Sequence, residues 1–204
     1  MVGVGKVRGE AVKSKIVSAI RESIKVKKDF LENEALLKNI EDLAQECLSS
    51  LRAGGKIIFA GNGGSFSDAQ HLSAEFTSRL NFDRAPMASL VLGTNASSMS
   101  AIGNDYGFES VFSREIEGIA RPQDLFICLS TSGNSKNIIN AILSATKMGV
   151  HTVAFTGQGG GKLVEYCRCI HVPSNKTTRI QECHILLGHI LCELVEHYYY
   201  LNVK

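Results

Sequence analysis

Gly54-Gly55-Lys56-Ile57-Ile58-Phe59-Ala60-Gly61-Asn62-Gly63-Gly64-Ser65, running on to His71 and Glu75, decides the fold. Lys56 to Ala60 is a short apolar run rich in β formers and reads as a buried strand. Gly61 to Ser65 interrupts it with three glycines, an amide and a hydroxyl, and Phe66 to Leu80 then contains neither proline nor glycine, so a helix follows. Strand, glycine-rich turn and helix make a cradle for an anionic group. Glycines let the backbone approach closely, and the free N–H groups of the first helical turn point at the ligand. His71 and Glu75, four residues apart, share one face of that helix. An imidazole and a carboxylate so placed can hold a metal or pass a proton, although the same pair is more often a surface hydrogen bond. The turn has neither the Gly-Lys-Ser/Thr ending of a P-loop nor the spacing of a dinucleotide fingerprint.

A second turn of the same kind lies downstream. Asp124 to Leu129 is apolar enough to be a central strand. Ser130-Thr131-Ser132-Gly133-Asn134-Ser135 then leads into a helix from about Ser135 to Met148. Four hydroxyls, a glycine and an amide at a helix start read as a phosphate nest. A Ser-rich N-cap is the plain alternative, but a cap needs one hydroxyl.

Around these turns the chain alternates. Residues 1 to about 9 have no period and predict a frayed end. Val12, Ile16, Ala19, Ile20 and Ile24 predict one amphipathic helix. Leu36, Leu37, Ile40, Leu43, Ala44, Cys47, Leu48 and Leu51 predict a second, over Asn33 to Arg52, ended by Gly54-Gly55. These two helices are not needed to cover a sheet, and another copy of the chain is a candidate for their apolar faces. Met87 to Leu92 reads as a second strand, Gly93 to Asp105 as a polar small-residue segment, and Phe108 to Ala120 as a helix. Val150 to Phe155 is a fourth strand, Thr156 to Gly161 a glycine-rich turn with a weaker claim on a ligand, and Cys169 to Val172 a fifth strand. A helix from about Thr178 to Tyr200 closes the chain. The predicted fold is α/β, a doubly wound five-stranded parallel sheet with two extra N-terminal helices, and ligands at the carboxyl ends of the strands.

Composition narrows the function. Among 204 residues, 44% are hydrophobic and 21% charged, which suits a folded domain; a net charge of +2 gives no support to nucleic-acid or charge-driven membrane binding. Tryptophan is absent, so no base-stacking platform is evident. No apolar run approaches a membrane span and no targeting segment is visible, so the cytoplasm is the expected compartment. Cys47, Cys128, Cys167, Cys169, Cys183 and Cys192 form no C-x-x-C pair and read as reduced thiols, mostly buried, with Cys167 and Cys169 on one strand face.

The closing helix carries Gln181, His184 and His189 amid Ile180, Ile185, Leu186, Leu187, Ile190 and Leu191. Each imidazole must find a partner there, and a hydrogen-bonded core histidine is the plain reading. Gln181 and His189 stand about 12 Å apart along the axis. One ion could take both only if the side chains lean together or two subunits contribute. On spacing alone His184 suits an ion with Gln181 better.

At this point the chain resembles a known family. Gly61-Asn62-Gly63-Gly64-Ser65, Asp68-Ala69-Gln70-His71, Gly103-Asn104-Asp105-Tyr106-Gly107, Ser130-Thr131-Ser132-Gly133-Asn134-Ser135 and Arg179-Ile180-Gln181-Glu182 are similar, in order, to motifs of the SIS-domain phosphoheptose isomerases, whose sheet is flavodoxin-like. The likeness runs from about Gly54 to Glu196. It implies conversion of sedoheptulose 7-phosphate to D-glycero-D-manno-heptose 7-phosphate, the first step toward nucleotide-activated heptose (ADP- or GDP-linked) for surface polysaccharide of the lipopolysaccharide or capsule type. It also implies a cytoplasmic homotetramer with one zinc per subunit. Residues 1–53 would be helices packing on the domain and on neighbouring subunits, and 54–204 the sugar-phosphate domain. The implied metal positions are His71, Glu75, Gln181 and His189, which favours His189 over His184. The implied sugar-phosphate contacts are Asn62, Gly63, Gly64, Ser65, Glu75, Asn104, Asp105, Ser130, Thr131, Ser132, Ser135 and Gln181. Aldose–ketose isomerisation passes through an enediol, so Glu75 is expected as base and His189 as partner acid/base. Three rivals are a pentose- or hexulose-phosphate isomerase of the same fold, a non-catalytic SIS-domain regulator of the kind that partners the replication initiator, and a plain nucleotide-binding protein. The first two are separable by a substrate panel and by metal content. The third lacks a Walker lysine and the acidic ribose-binding pattern.

Overall fold

The structure is a computed structural model that describes residues 9–201. The expected frayed end at residues 1 to about 9 falls almost wholly outside them. Two helices come first, α1 (Gly9–Leu31) and α2 (Glu34–Arg52). Asn33 caps α2 by accepting from the Leu36 amide at 3.2 Å, and Gly54 follows its end with φ +77°. Then come β1 (Ile57–Gly61), α3 (Gly64–Thr77), β2 (Ser89–Val91), α4 (Ala96–Tyr106), a short 3-10 turn, and α5 (Val111–Ile119). The chain continues through β3 (Leu125–Ser130), α6 (Lys136–Lys147), β4 (His151–Thr156), a second 3-10 turn, β5 (Arg168–His171) and α7 (Thr177–Tyr200).

The five strands form one parallel sheet in the order β2-β1-β3-β4-β5, with Ile57 beside Leu125 and Leu125 beside His151. β1 and β3 are buried along their whole length, as apolar runs without alternation require. Their side chains divide between two cores. Ile57, Phe59, Leu125, Ile127 and Leu129 pack with α2, α3, α7 and the end of α1. Ile58, Ala60, Phe126 and Cys128 pack with α5 and α6. The chain leaves β1 in one direction for β2 and crosses back for β3, so the order reverses between β1 and β3. Both glycine- and serine-bearing turns leave the sheet at that reversal, where parallel sheets open a crevice.

The polar segment from Gly93 to Asp105 contains an unassigned helix, α4, whose cap Asn95 accepts from the amides of Ser97 and Ser98. No residue of α4 is fully buried; Met99 and Ile102 pack half-buried on the second core, too short an apolar stripe for periodicity to register. β2 is shorter than the expected Met87 to Leu92 run. Val12, Ile16, Ile20 and Ile24 form an exposed row on α1. Beside them an apolar groove of about 360 Å³ opens between α1, α2 and α7, lined by Phe30, Leu37, Ile40, Leu187 and Ile190 among others. All six cysteines are free; Cys47, Cys183 and Cys192 are buried in the first core and Cys128 in the second, against which Cys167 and Cys169 lie half-buried. Among the described residues no helix is long and apolar enough to cross a membrane.

Candidate active site

The first turn is built around two glycines with different duties. Gly63 has φ +54°, a conformation that side chains resist. Gly64 opens α3 beneath the amide of Gln181, which any Cβ there would strike. No side chain caps α3; the Ser65 and Phe66 amides donate back to the Asn62 and Gly63 carbonyls, and the Gly64 amide is the one of its first turn with no backbone partner. Asn62 is held by a reciprocal amide pair with Asn137, each side chain donating to the other at 2.9 Å. Asn137 is buried at the start of α6, so this pair fastens the first turn to the helix that follows the second. Sequence reasoning missed Asn137; its signal was a polar residue beside the apolar row Ile138, Ala141, Ile142.

The second turn is held from behind. Gly133 has φ +64°, and a Cβ on it would collide with the Gly160 carbonyl. The Gly157 amide donates to the Thr131 carbonyl and the Leu163 amide to the Gly133 carbonyl, each at 3.1 Å. The glycine-rich stretch from Thr156 to Gly161 therefore buttresses this turn. Ser135 precedes α6 without making a side-chain cap bond, which removes the plain N-cap reading of its hydroxyl. The Ser130 hydroxyl is buried with no hydrogen-bond partner. Ser132 accepts from the Asn134 amide at 3.2 Å, and Thr131 is half-buried beside it. A hollow of about 480 Å³ joins Asn62, Gly107, Phe108, Ser135 and Asn137. Asn104 and Asp105 are exposed near the end of α4, bonded to one another at 2.8 Å, and face a separate shallow hollow with Ser97 and Ser100. Among the described residues they share no hydrogen bond with either turn.

His71, Glu75 and His189 come together within one chain. The two Nε2 atoms stand 2.8 Å apart, with Glu75 Oε1 3.3 Å from that of His71. One donor atom from each of the three lies within 4.8 Å of the others. Two imidazole nitrogens and a carboxylate oxygen converging this way are a donor set that suits zinc, and equally a proton-transfer pair. Gly188 lets the two helices meet here, because a Cβ on it would press on the buried Leu72, next to His71. His71 lies seven residues beyond Gly64, about 10 Å along α3. Gln181 is thus beside the first turn, and the three-residue cluster is at the far end. Asp68 stands between them, half-buried with one carboxylate oxygen unpartnered. Burial raises its pKa and the His71 charge opposes the rise.

His184 is not among them. It is fully buried against Phe155, ring centroids 5.8 Å apart, with neither ring nitrogen hydrogen-bonded. Burial pushes its pKa down to about 4, against a partial raise from the Thr156 backbone, whose geometry falls short of a hydrogen bond. A histidine neutral when folded and with an ordinary value when unfolded contributes fully above pH 6.5. That contribution is lost as pH falls to about 4, roughly 3 kcal/mol in all. His184→Leu is expected to remove this increment of acid destabilisation and to cost little at neutral pH, since no hydrogen bond is broken. Denaturant melts at several pH values check it; an unchanged acid slope would contradict it.

Comparison with known proteins shows the family. The SIS-domain family profile matches residues 20–157. The phosphoheptose isomerase of Sulfurimonas denitrificans is 48% identical over 186 residues, covering 91% of this chain and 95% of its own length. That of Akkermansia muciniphila is 51% identical over 169 residues, covering 82% and 89%. The solved phosphoheptose isomerase of Neisseria gonorrhoeae superimposes with a TM-score of 0.84 at 37% identity, covering 91% of this chain and 98% of that one.

Proposed function

The chain belongs to the phosphoheptose isomerases of the SIS-domain family, and from that premise we propose that it converts sedoheptulose 7-phosphate to D-glycero-D-manno-heptose 7-phosphate through an enediol. The observation that carries the reading is the meeting of Glu75 and His189 at one end of α3, with two anion-accepting turns at the other. A phosphate held by the turns directs the far end of a seven-carbon chain along α3 toward the carboxylate and imidazole, with His71 about 10 Å and Glu75 about 16 Å beyond Gly64 along the axis.

The phosphate is gripped by the hydroxyls of Ser130, Thr131, Ser132 and Ser135 and by the open amides of α6. Asn62, Gly63, Gly64 and Ser65 border it from the first turn. Gln181 contacts the sugar hydroxyls; Asn104 and Asp105, which face a separate hollow, are offered as further contacts by the family resemblance alone. Glu75 takes the proton from C1 of the ketose, and the same proton returned to C2 gives the aldose. His189 moves the second proton between the oxygens on C1 and C2. His71, Glu75 and His189 would hold one zinc per subunit; Gln181, which within one chain lies at the other end of α3, would complete the set only from a neighbouring copy. Bound there, the ion supplies a positive centre for the sugar oxygens. A regulator has no need of an adjoining carboxylate and imidazole, which favours the enzyme.

Of the division at residue 54, the described residues 54–201 belong to the sugar-phosphate domain, and 9–53 are the helices that face neighbouring subunits while sharing its core. The exposed row Val12, Ile16, Ile20, Ile24 and the groove beside α7 support a homotetramer. Light scattering should give four chains per particle, and a monomer at micromolar concentration would contradict it. The product feeds nucleotide-activated heptose for surface polysaccharide, in the cytoplasm. Assay of five-, six- and seven-carbon ketose phosphates tests the substrate: the seven-carbon one should be preferred. Preference for a shorter one would assign the chain to another isomerase of this fold.

A further inference from the structure

Arg84 and Glu196 lie outside the site, 112 residues apart in sequence, and are almost wholly buried together. Glu196 is on α7, seven residues after His189 and so on nearly the same face, about 10 Å further along the axis. One carboxylate oxygen accepts from the Leu80 amide at 2.9 Å and from Arg84 Nε at 2.8 Å; the other accepts from the Asn81 amide at 2.8 Å. Burial opposes its ionisation, and these three donors outweigh burial and hold its pKa below the usual range. The rest of the guanidinium caps the end of α3. Nη2 donates to the Glu75 carbonyl at 2.6 Å, and Nη1 to those of Phe76 at 2.8 Å and Ser78 at 3.1 Å. A cation at a helix C-terminus also complements its dipole. Tyr200 secures the Arg84 loop by donating to the Ala85 carbonyl at 2.6 Å.

We propose that the Arg84–Glu196 pair is a positioning device that fixes Glu75 and His71 on α3 relative to His189 on α7. The helices are joined at two points. Gly188 against Leu72 sets how closely they approach beside the cluster, and the ion pair sets how α3 is rotated and advanced along α7. The guanidinium grips the carbonyl of Glu75 itself, so a displacement of Arg84 reaches the carboxylate through a single residue. A side chain that needs placement within a fraction of an ångström is supported in this way by groups that never touch the substrate.

The test uses the whole chain and rests on the isomerase reading for one of its readouts only. Arg84→Lys, Glu196→Gln and the milder Tyr200→Phe are compared with Asp124→Asn. Asp124 is an equally buried carboxylate just before β3, bonded to the Lys56 amide, Lys56 Nζ and the Arg121 amide and making no hydrogen bond to α3 or α7. Stability is read by denaturant melts, zinc retention by competition with a chromophoric chelator, turnover of sedoheptulose 7-phosphate as kcat and KM, and local opening by hydrogen exchange over residues 71–81. Arg84→Lys and Glu196→Gln should lose at least tenfold in kcat and in zinc affinity, with KM within about threefold. Tyr200→Phe should lose about threefold in both. Asp124→Asn, at a similar loss of stability, should leave both within twofold and leave exchange over 71–81 unchanged. The proposal fails if the charge variants fold and keep kcat and zinc affinity within twofold. It fails equally if all variants lose function in proportion to stability, or if neither charge variant folds. An inactive wild type would overturn the isomerase reading alone, leaving zinc retention and exchange to judge the clamp.

Discussion

Glu75→Gln is expected to lower kcat for sedoheptulose 7-phosphate about 10³-fold, within the range that removal of a general base produces, while the melting transition stays where it is. Gln keeps the volume and one acceptor oxygen of Glu75 but cannot take a carbon-bound proton. The wild-type carboxylate is four-fifths buried and 3.3 Å from His71, so no water-borne base in that place can substitute freely for it. Its backbone is fixed independently of its side chain by Arg84, so the substitution leaves α3 where it was. The variant also separates two roles. Zinc content retained with turnover lost assigns proton transfer to Glu75. Zinc and turnover lost together assign it to holding the metal. Near-normal turnover removes Glu75 from the chemistry. His189→Ala read in the same way divides the second position.

Gly133→Ala is expected to cost about 3 kcal/mol in stability, from left-handed strain and from a side chain forced onto backbone. The position is at φ +64°, and its new methyl would meet the Gly160 carbonyl, which cannot rotate away as a side-chain end can. Relief requires the Ser130–Ser135 turn to lift from the Gly160–Gly161 stretch, so KM for the sugar phosphate should rise about tenfold or more. Denaturant melts and initial rates check both parts. Unchanged stability would show that the two loops separate without cost. Lost stability with unchanged KM would remove this turn from phosphate binding.

What the residues revealed in advance follows from where local chemistry decides the outcome. Lys56 to Ala60 and Asp124 to Leu129 announce central strands because a run buried on both faces has no polar alternation. Both turns after β1 and β3 were visible because clusters of glycine, asparagine and serine interrupt a buried run sharply. The helix at Ala96–Tyr106 was not legible, because only Met99 and Ile102 of it pack on a core, and those only half-buried. Between His184 and His189, spacing leaned toward His184, the one that the structure leaves out of the cluster. Both sit among leucines and isoleucines, and what separates them is the partner helix. α3 meets α7 beside Gly188, so His189 finds His71, while His184 turns under β4 against Phe155. Arg84, Glu196 and Asn137 escaped for a related reason. Each is a polar residue beside apolar neighbours whose partner lies 75 or more residues away, and only packing brings the two together.

The most direct measurement is incubation of the zinc-loaded protein with sedoheptulose 7-phosphate in D₂O, followed by NMR. Anomeric resonances of D-glycero-D-manno-heptose 7-phosphate are expected, with deuterium entering at C2 wherever the transferred proton exchanges with solvent, and both signals absent with Glu75→Gln. An unchanged substrate spectrum from folded, metal-loaded wild type, or product formed at an equal rate by Glu75→Gln, would contradict a proton shuttled by the carboxylate and imidazole that α3 and α7 bring together.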